Sequence, residues 1–317
     1  MKNKAVYAGA GLAGLLALVA PAAGAGPGGG PQAVMTTGAH APAGGEGPLR
    51  LLFIHHSVGG QLMADEGALA GGESRAGGEY CIHRSHPNGG GLRRLLEAAG
   101  YEVHEASYGS RLGEDTDIRH WPPKFADRFD EMLRCDRQDR AYPDARRNRI
   151  VAFKSCYPNN DFRGEGREPG DPAVPELTVA NARAAYHALL PIFRQHPDVL
   201  FVAFTTPAMA RPQPAGLRQK FQAWRESWSG RGRLAREFNG WLADRGHGWL
   251  AGYELPNVVV FDYYTVLSGG DPDGWSAFAT QGGLDSHPSA AGNRAAAAAF
   301  VPLLDRASAA MGWRTGR

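Results

Sequence analysis

The sequence predicts an α/β protein built on a doubly wound, parallel sheet. Short continuous apolar runs recur along the chain, stretches with helical spacing of apolar residues lie between them, and the two alternate. Runs of about four to six residues rich in β-branched and aromatic side chains suit strands covered on both faces. Strand and helix alternating in this way is the pattern of a doubly wound sheet.

The first strand is Leu51-Leu52-Phe53-Ile54. Leu92, Leu95 and Leu96 mark a helix that stops at Gly100, a residue suited to a helix C-cap, just before a second strand over Tyr101 to Ala106. Ile150 to Phe153 is the third strand, Val199 to Phe204 the fourth and Val258 to Phe261 the fifth. Ala182, Tyr186, Leu189 and Phe193 form one helical stripe ahead of the fourth strand. Leu217, Phe221, Trp224 and Trp228 form another, resumed by Leu234, Phe238, Trp241 and Leu242 after the Gly230-Arg231-Gly232 break. The Ala-rich segment from Ala290 to Leu304 is the last helix. One domain over 48–313 accounts for all of these.

The chain of 317 residues is 43% hydrophobic and 21% charged, ordinary for a folded domain, which excludes a coiled coil, a polytopic membrane protein and a wholly disordered chain. Two lysines, Lys2 and Lys4, precede an apolar run from Ala5 to Ala20, and Ala23-Gly24-Ala25 offers small residues for cleavage. That is the pattern of a secretory signal over 1–25, and it predicts export to the periplasm or outside the cell. The run is short for a membrane span and no cysteine follows it, so no stable membrane anchor is expected. Residues 26–47 are nearly all Gly, Pro, Ala and Thr, a composition for a flexible tether. The formal charge is +2, and both surplus lysines lie in the leader, so the remainder is neutral and has no electrostatic reason to bind nucleic acid.

In a doubly wound sheet the chemistry sits in the loops after the strands. The first strand is followed by His55-His56-Ser57-Val58-Gly59-Gly60 and the second by Ser107-Tyr108-Gly109-Ser110. Lys154-Ser155-Cys156-Tyr157-Pro158-Asn159-Asn160-Asp161 follows the third, and Asp285-Ser286-His287-Pro288 stands before the last helix. A serine between a strand and small residues is well placed as a nucleophile, with backbone N–H groups around it to hold an oxyanion. Gly109 lets a backbone N–H come close, an asparagine amide adds a donor, and His287 offers a base with an acid nearby.

This order of blocks resembles the SGNH (GDSL-type) hydrolase superfamily over most of the chain, from about Leu51 to Leu304, and more narrowly its exported bacterial members with a His-His-Ser first block. The resemblance implies a three-layer α/β/α, flavodoxin-like fold with a five-stranded parallel sheet. It also implies a serine esterase acting on an acyl group of a carbohydrate or small polar molecule. By position, Ser57 matches the nucleophile, His287 the base and Asp285 the acid. Ser57, Gly109 and Asn160 (alternatively Asn159) match the oxyanion donors. His56, Tyr108 and Asp161 are candidate substrate contacts. Two features depart from the family pattern: His56 stands where Asp precedes the serine, and Asp285 lies two residues before the histidine, with Leu284 at the usual third place. A catalytically inactive glycan- or partner-binding protein is the competing expectation.

Other groups were weighed for chemistry. The spacings of Cys81, Cys135 and Cys156 match no zinc motif, and the glycine-rich insert over 71–91 lacks phosphate-loop spacing, so no metal or cofactor is expected. Cys135 is expected to end a helix, with Cys81–Cys156 the pair within reach of a disulfide. His83 and His86 read as solvated, and the insert as a loop over the site. Asp115, Asp117 and His120 read as a helix start rather than a metal cluster. A metal-dependent hydrolase using His55 and His56 is a third possibility. Trp121 and Tyr108 suit either a sugar-binding wall or the core.

Overall fold

The computed structural model describes residues 47–66, 81–213, 221 and 230–313. The leader, the tether up to residue 46, residues 71–80 of the insert and the Leu217, Trp224 and Trp228 stripe lie outside the described residues.

Five parallel strands form the body of the sheet: β1 (Leu49–Ile54), β2 (Tyr101–Ala106), β5 (Ile150–Phe153), β6 (Leu200–Phe204) and β7 (Val258–Phe261). Their order is β2-β1-β5-β6-β7. Beyond β2 the sheet continues into a short hairpin not read from the sequence, β3 (Cys135–Arg137) and β4 (Arg140–Ala141), which makes seven strands in all. Phe53 pairs in register with Ala152, and Ala152 with Val202. The central strands are fully buried, which is why they read as unbroken apolar runs instead of alternating ones.

Helices cover both faces. On one side Phe153 and Phe201 meet Phe125 of α3 (Trp121–Asp127) and Phe193 of α5 (Val179–Arg194), with ring centroids 3.9–6.0 Å apart. On the other, Phe204 and Phe261 pack on Phe300 of the last helix, here α8 (Ala290–Ala310). Each such buried ring contributes about 1.5–3 kcal/mol. The Thr178 hydroxyl caps α5 by accepting from Asn181 N–H at 3.2 Å. Further helices are α1 (Ser57–Met63), α2 (Leu92–Ala98), α4 (Phe129–Arg134), α6 (Arg231–Ala243) and α7 (Tyr263–Ser268). Gly100 follows α2 with φ +90°, as its C-cap reading requires. Cys135 opens β3 directly after α4 and so begins a strand. Among the described residues no helix is long and apolar enough to cross a membrane.

Candidate active site

Strand β1 delivers its last residues to the rim of the sheet, where His55 N–H donates to Ala106 O at 3.0 Å and Lys154 N–H to Ile54 O at 3.1 Å. Ser57 is the first residue of α1. The two glycines after it allow close approach: a Cβ on Gly59 would fall 2.3 Å from the His55 ring, and one on Gly60 only 1.8 Å from the Cys81 carbonyl oxygen. Only glycine fits at these two positions without a neighbour giving way.

The far end of the domain meets this serine. Ser57 Oγ lies 2.9 Å from His287 Nε2, across 230 residues of chain. His287 stands on β9 (Asp285–Pro288), which pairs antiparallel with β8 (Ala279–Thr280). In a strand, residues two apart share a face, so the two-residue spacing that looked displaced in the sequence puts Asp285 beside the imidazole. His287 donates Nδ1–H to Asp285 Oδ1 at 2.7 Å, and its backbone N–H reaches the same oxygen at 3.0 Å. Burial works to raise the Asp285 carboxyl, but these two donors outweigh it and hold it below the usual aspartate range.

Five side chains given no role in the sequence reading hold this arm. Tyr157 stands edge-on to the His287 ring, centroids 5.2 Å apart. Asn88 donates to Pro288 O at 3.0 Å and accepts from Asn293 Nδ2 at 2.9 Å, while Tyr263 donates to Asn293 Oδ1 at 2.6 Å. Ser286 Oγ accepts Ala210 N–H at 3.0 Å. Tyr157 belonged to a block the sequence singled out. Asn88 gave no local signal, because its partners are about two hundred residues away.

The histidines before Ser57 are committed to the scaffold. His56 Nε2–H donates to Gly113 O at 2.7 Å and its Nδ1 accepts from Thr116 Oγ1 at 3.0 Å, which fixes one neutral tautomer. Burial pushes this ring down to about 3. Tyr108 stacks on it, centroids 3.6 Å apart. His55 faces oxygen acceptors with both nitrogens, His56 O at 2.9 Å and Glu105 Oε1 at 3.1 Å. Glu105 is buried and also takes His83 N–H at 3.0 Å, the His83 ring and Arg93 Nη1 at 3.2 Å. Burial opposes its ionisation, but the His55 and His83 hydrogen bonds prevail and hold it far below the ordinary glutamate range. Lys154 is also fully buried. Its amine donates to Ser155 O at 3.2 Å, and burial lowers its pKa.

The expected oxyanion amides are engaged elsewhere. Gly109 N–H donates to Glu114 Oε1 at 2.7 Å. Asn160 Nδ2 donates to Thr206 O and Pro207 O at 3.2 and 2.8 Å, and its Oδ1 accepts from Asn239 at 2.7 Å. Asn159 Nδ2 holds Asp117 Oδ1 at 2.9 Å and its Oδ1 takes Ile118 N–H at 2.9 Å. Asp161 pairs with Arg231 at 2.7 Å. Trp121 belongs to the core, fully buried with its indole N–H on Ser155 Oγ at 2.8 Å.

Two expectations need correction. No disulfide joins Cys81 to Cys156: all three cysteines are buried thiols, and Cys81 Sγ meets His86 Nε2 at 3.5 Å. His83 and His86 are not simply solvated, being drawn to Glu105 and to Cys81 and Ser85 O. Asp117 stands at a helix start, as read from the sequence, just before the 3-10 turn Ile118–His120 that leads into α3, and its carboxylate accepts from Asn159. Among the described residues no group of three or more His, Cys, Asp and Glu side chains gathers as if for a metal ion.

No protein-family model and no curated relative matches the chain. Solved structures do. A family two carbohydrate esterase from Cellvibrio japonicus aligns at 12% identity and TM-score 0.36, covering 84% of this chain and 63% of that one, so the chain spans less than two thirds of its length. The acetylxylan esterase Axe2 from Geobacillus stearothermophilus aligns at 13% identity and TM-score 0.37, covering 86% and 97%. A carbohydrate esterase family 2 enzyme plus carbohydrate binding domain from Corynascus thermopiles (Myceliophthora fergusii) aligns at 17% identity and TM-score 0.36, covering 85% and 68%.

Proposed function

We propose that the chain is a serine hydrolase cleaving an ester, with the acyl group carried by a carbohydrate or small polar molecule. The contact of Ser57 Oγ with His287 Nε2 at 2.9 Å, backed by Asp285 on Nδ1, carries this reading. Ser57 Oγ attacks the carbonyl carbon as His287 Nε2 takes its proton, and the imidazolium then gives that proton to the leaving alcohol. Water, deprotonated by His287, releases the acyl group from Ser57. Asp285 keeps the Nδ1–H tautomer, the one that leaves Nε2 free to accept.

The N–H of Ser57 leads the oxyanion donors. Gly109, at an exposed loop with φ +84°, joins by exchanging Glu114 for the substrate oxygen. Asn160 is buried and bound to two carbonyls, which suits a scaffold role. The leader-like first 25 residues support a site of action outside the cytoplasm.

Ser57→Ala is expected to abolish turnover of nitrophenyl acetate and labelling by a fluorophosphonate. Retained turnover in that variant refutes Ser57 as nucleophile. The engaged Gly109 and Asn160 amides favour a second reading, a glycan- or partner-binding protein without turnover, for which the wild type also takes no label.

A further inference from the structure

The turn Tyr157–Asn160 separates the His287 ring from a second feature, a cavity of about 180 Å³ lined by Pro158 and Asn159. The rest of its lining is largely apolar: Ile118, Pro172, Val174, Pro175 and Leu177. Its rim carries two acceptors, the carboxylates of Asp117 and Glu176, and one donor group, the guanidinium of Arg119.

The wall is preformed. Arg163 N–H donates to Leu177 O at 2.9 Å and Ala180 N–H to Glu165 O at 2.8 Å. Asp171 N–H reaches Asn181 Oδ1 and Ala173 N–H reaches Asp171 Oδ1, both at 2.9 Å. Asn159 is fixed by its own bonds to Asp117 and Ile118. A site that needs no ordering on binding keeps more of its contact energy.

The lining selects the occupant. Two carboxylates against one guanidinium repel an anion. A fatty acyl chain would strip water from three charged groups and give them nothing in return. A neutral sugar ring has apolar C–H faces for the proline and aliphatic wall, and hydroxyls that both donate to carboxylates and accept from a guanidinium.

We infer that this cavity is a subsite for a neutral sugar ring adjoining the ring that bears the ester. The inference rests on the esterase reading and deepens it to esters of oligomeric, uncharged carbohydrate. Arg119 and the Val174 wall then determine specificity without touching the reacting atoms.

The test uses the full chain and two esters, acetylated xylobiose and nitrophenyl acetate, the second of which has no second sugar ring to occupy the cavity. Val174→Trp fills the cavity and Arg119→Ala removes the rim donor. Both variants should lower kcat/KM on the disaccharide ester, at least tenfold and about fivefold respectively, and stay within twofold of wild type on nitrophenyl acetate. Equal losses on both esters, or no loss on either, overturn the subsite. Should Val174→Trp fail to fold, Arg119→Ala decides alone by the same comparison. If the wild type cleaves neither ester, the esterase reading falls separately, and unacetylated xylobiose titrated calorimetrically into wild type and variants decides the subsite. Binding weakened by the substitutions supports it, and no binding or unchanged binding overturns it.

Discussion

Replacing Asp285 tests the site most sharply, because its spacing departs from the pattern the sequence resembles. In the proposed reaction, as Ser57 gives up its proton, a positive charge forms on His287 beside the Asp285 carboxylate, with heavy atoms 2.7 Å apart. With charge centres about 4 Å apart and an effective dielectric constant near 20, the attraction is about 4 kcal/mol. Both side chains are about a quarter exposed, 25% and 27%, so solvent screening reduces this to about 2 kcal/mol. Asp285→Ala should therefore lower kcat on nitrophenyl acetate by about 30-fold at pH 8. Asp285→Asn should cost more, about 10³–10⁴-fold, since an amide N–H facing Nδ1 favours the tautomer with the proton on Nε2, which cannot accept from Ser57. Burst and steady-state kinetics in both variants, with circular dichroism to verify folding, measure the effect. An alanine variant within threefold of wild type refutes the reasoning and leaves a serine–histidine pair oriented by something else.

Three further outcomes follow from the scaffold. Glu105→Ala leaves His55, His83 and Arg93 without their buried acceptor and should cost about 3–5 kcal/mol at pH 7 in urea unfolding. The folded carboxyl titrates below its ordinary range, so its contribution is present above pH ~4 and lost as pH falls through the folded value. The difference between wild type and variant must then narrow on acidification, and a constant difference down to pH 3 contradicts the network. Gly60→Ala drives a Cβ into the Cys81 carbonyl and should destabilise by about 1–3 kcal/mol, seen as a lower Tm; an unchanged Tm rules out the close approach. Asn88→Ala frees the Pro288 carbonyl behind His287 and should lower kcat about tenfold with KM little changed, whereas a rise in KM alone argues against a positioning role.

What could be read from the sequence was what local patterning encodes. The five parallel strands were visible because burial on both faces leaves unbroken apolar runs such as Leu200–Phe204. Ser57 and His287 were visible because each adjoins a regular element with small residues after it. The β3–β4 hairpin was not, since Cys135–Arg137 and Arg140–Ala141 are too short and too polar to give a periodic signal. The partners of Gly109 and Asn160 were hidden for another reason: donors that suit an oxyanion also suit Glu114 or the Thr206 and Pro207 carbonyls, and only the folded path decides between them. The Asp285 spacing was misjudged as a displacement because the sequence did not reveal that residues 285–288 form a strand. His83 read as a surface residue for want of any sign that Glu105, inside β2, would be buried and need donors.

The hydroxyl and the imidazole belong to opposite ends of the domain, 230 residues apart in the chain. On the proposed reading, a nascent polypeptide therefore lacks its base for nearly the whole of its synthesis. The serine and its imidazole come together only once the last strand and helix have emerged, so turnover of an ester by this pair then reports that the domain has been completed.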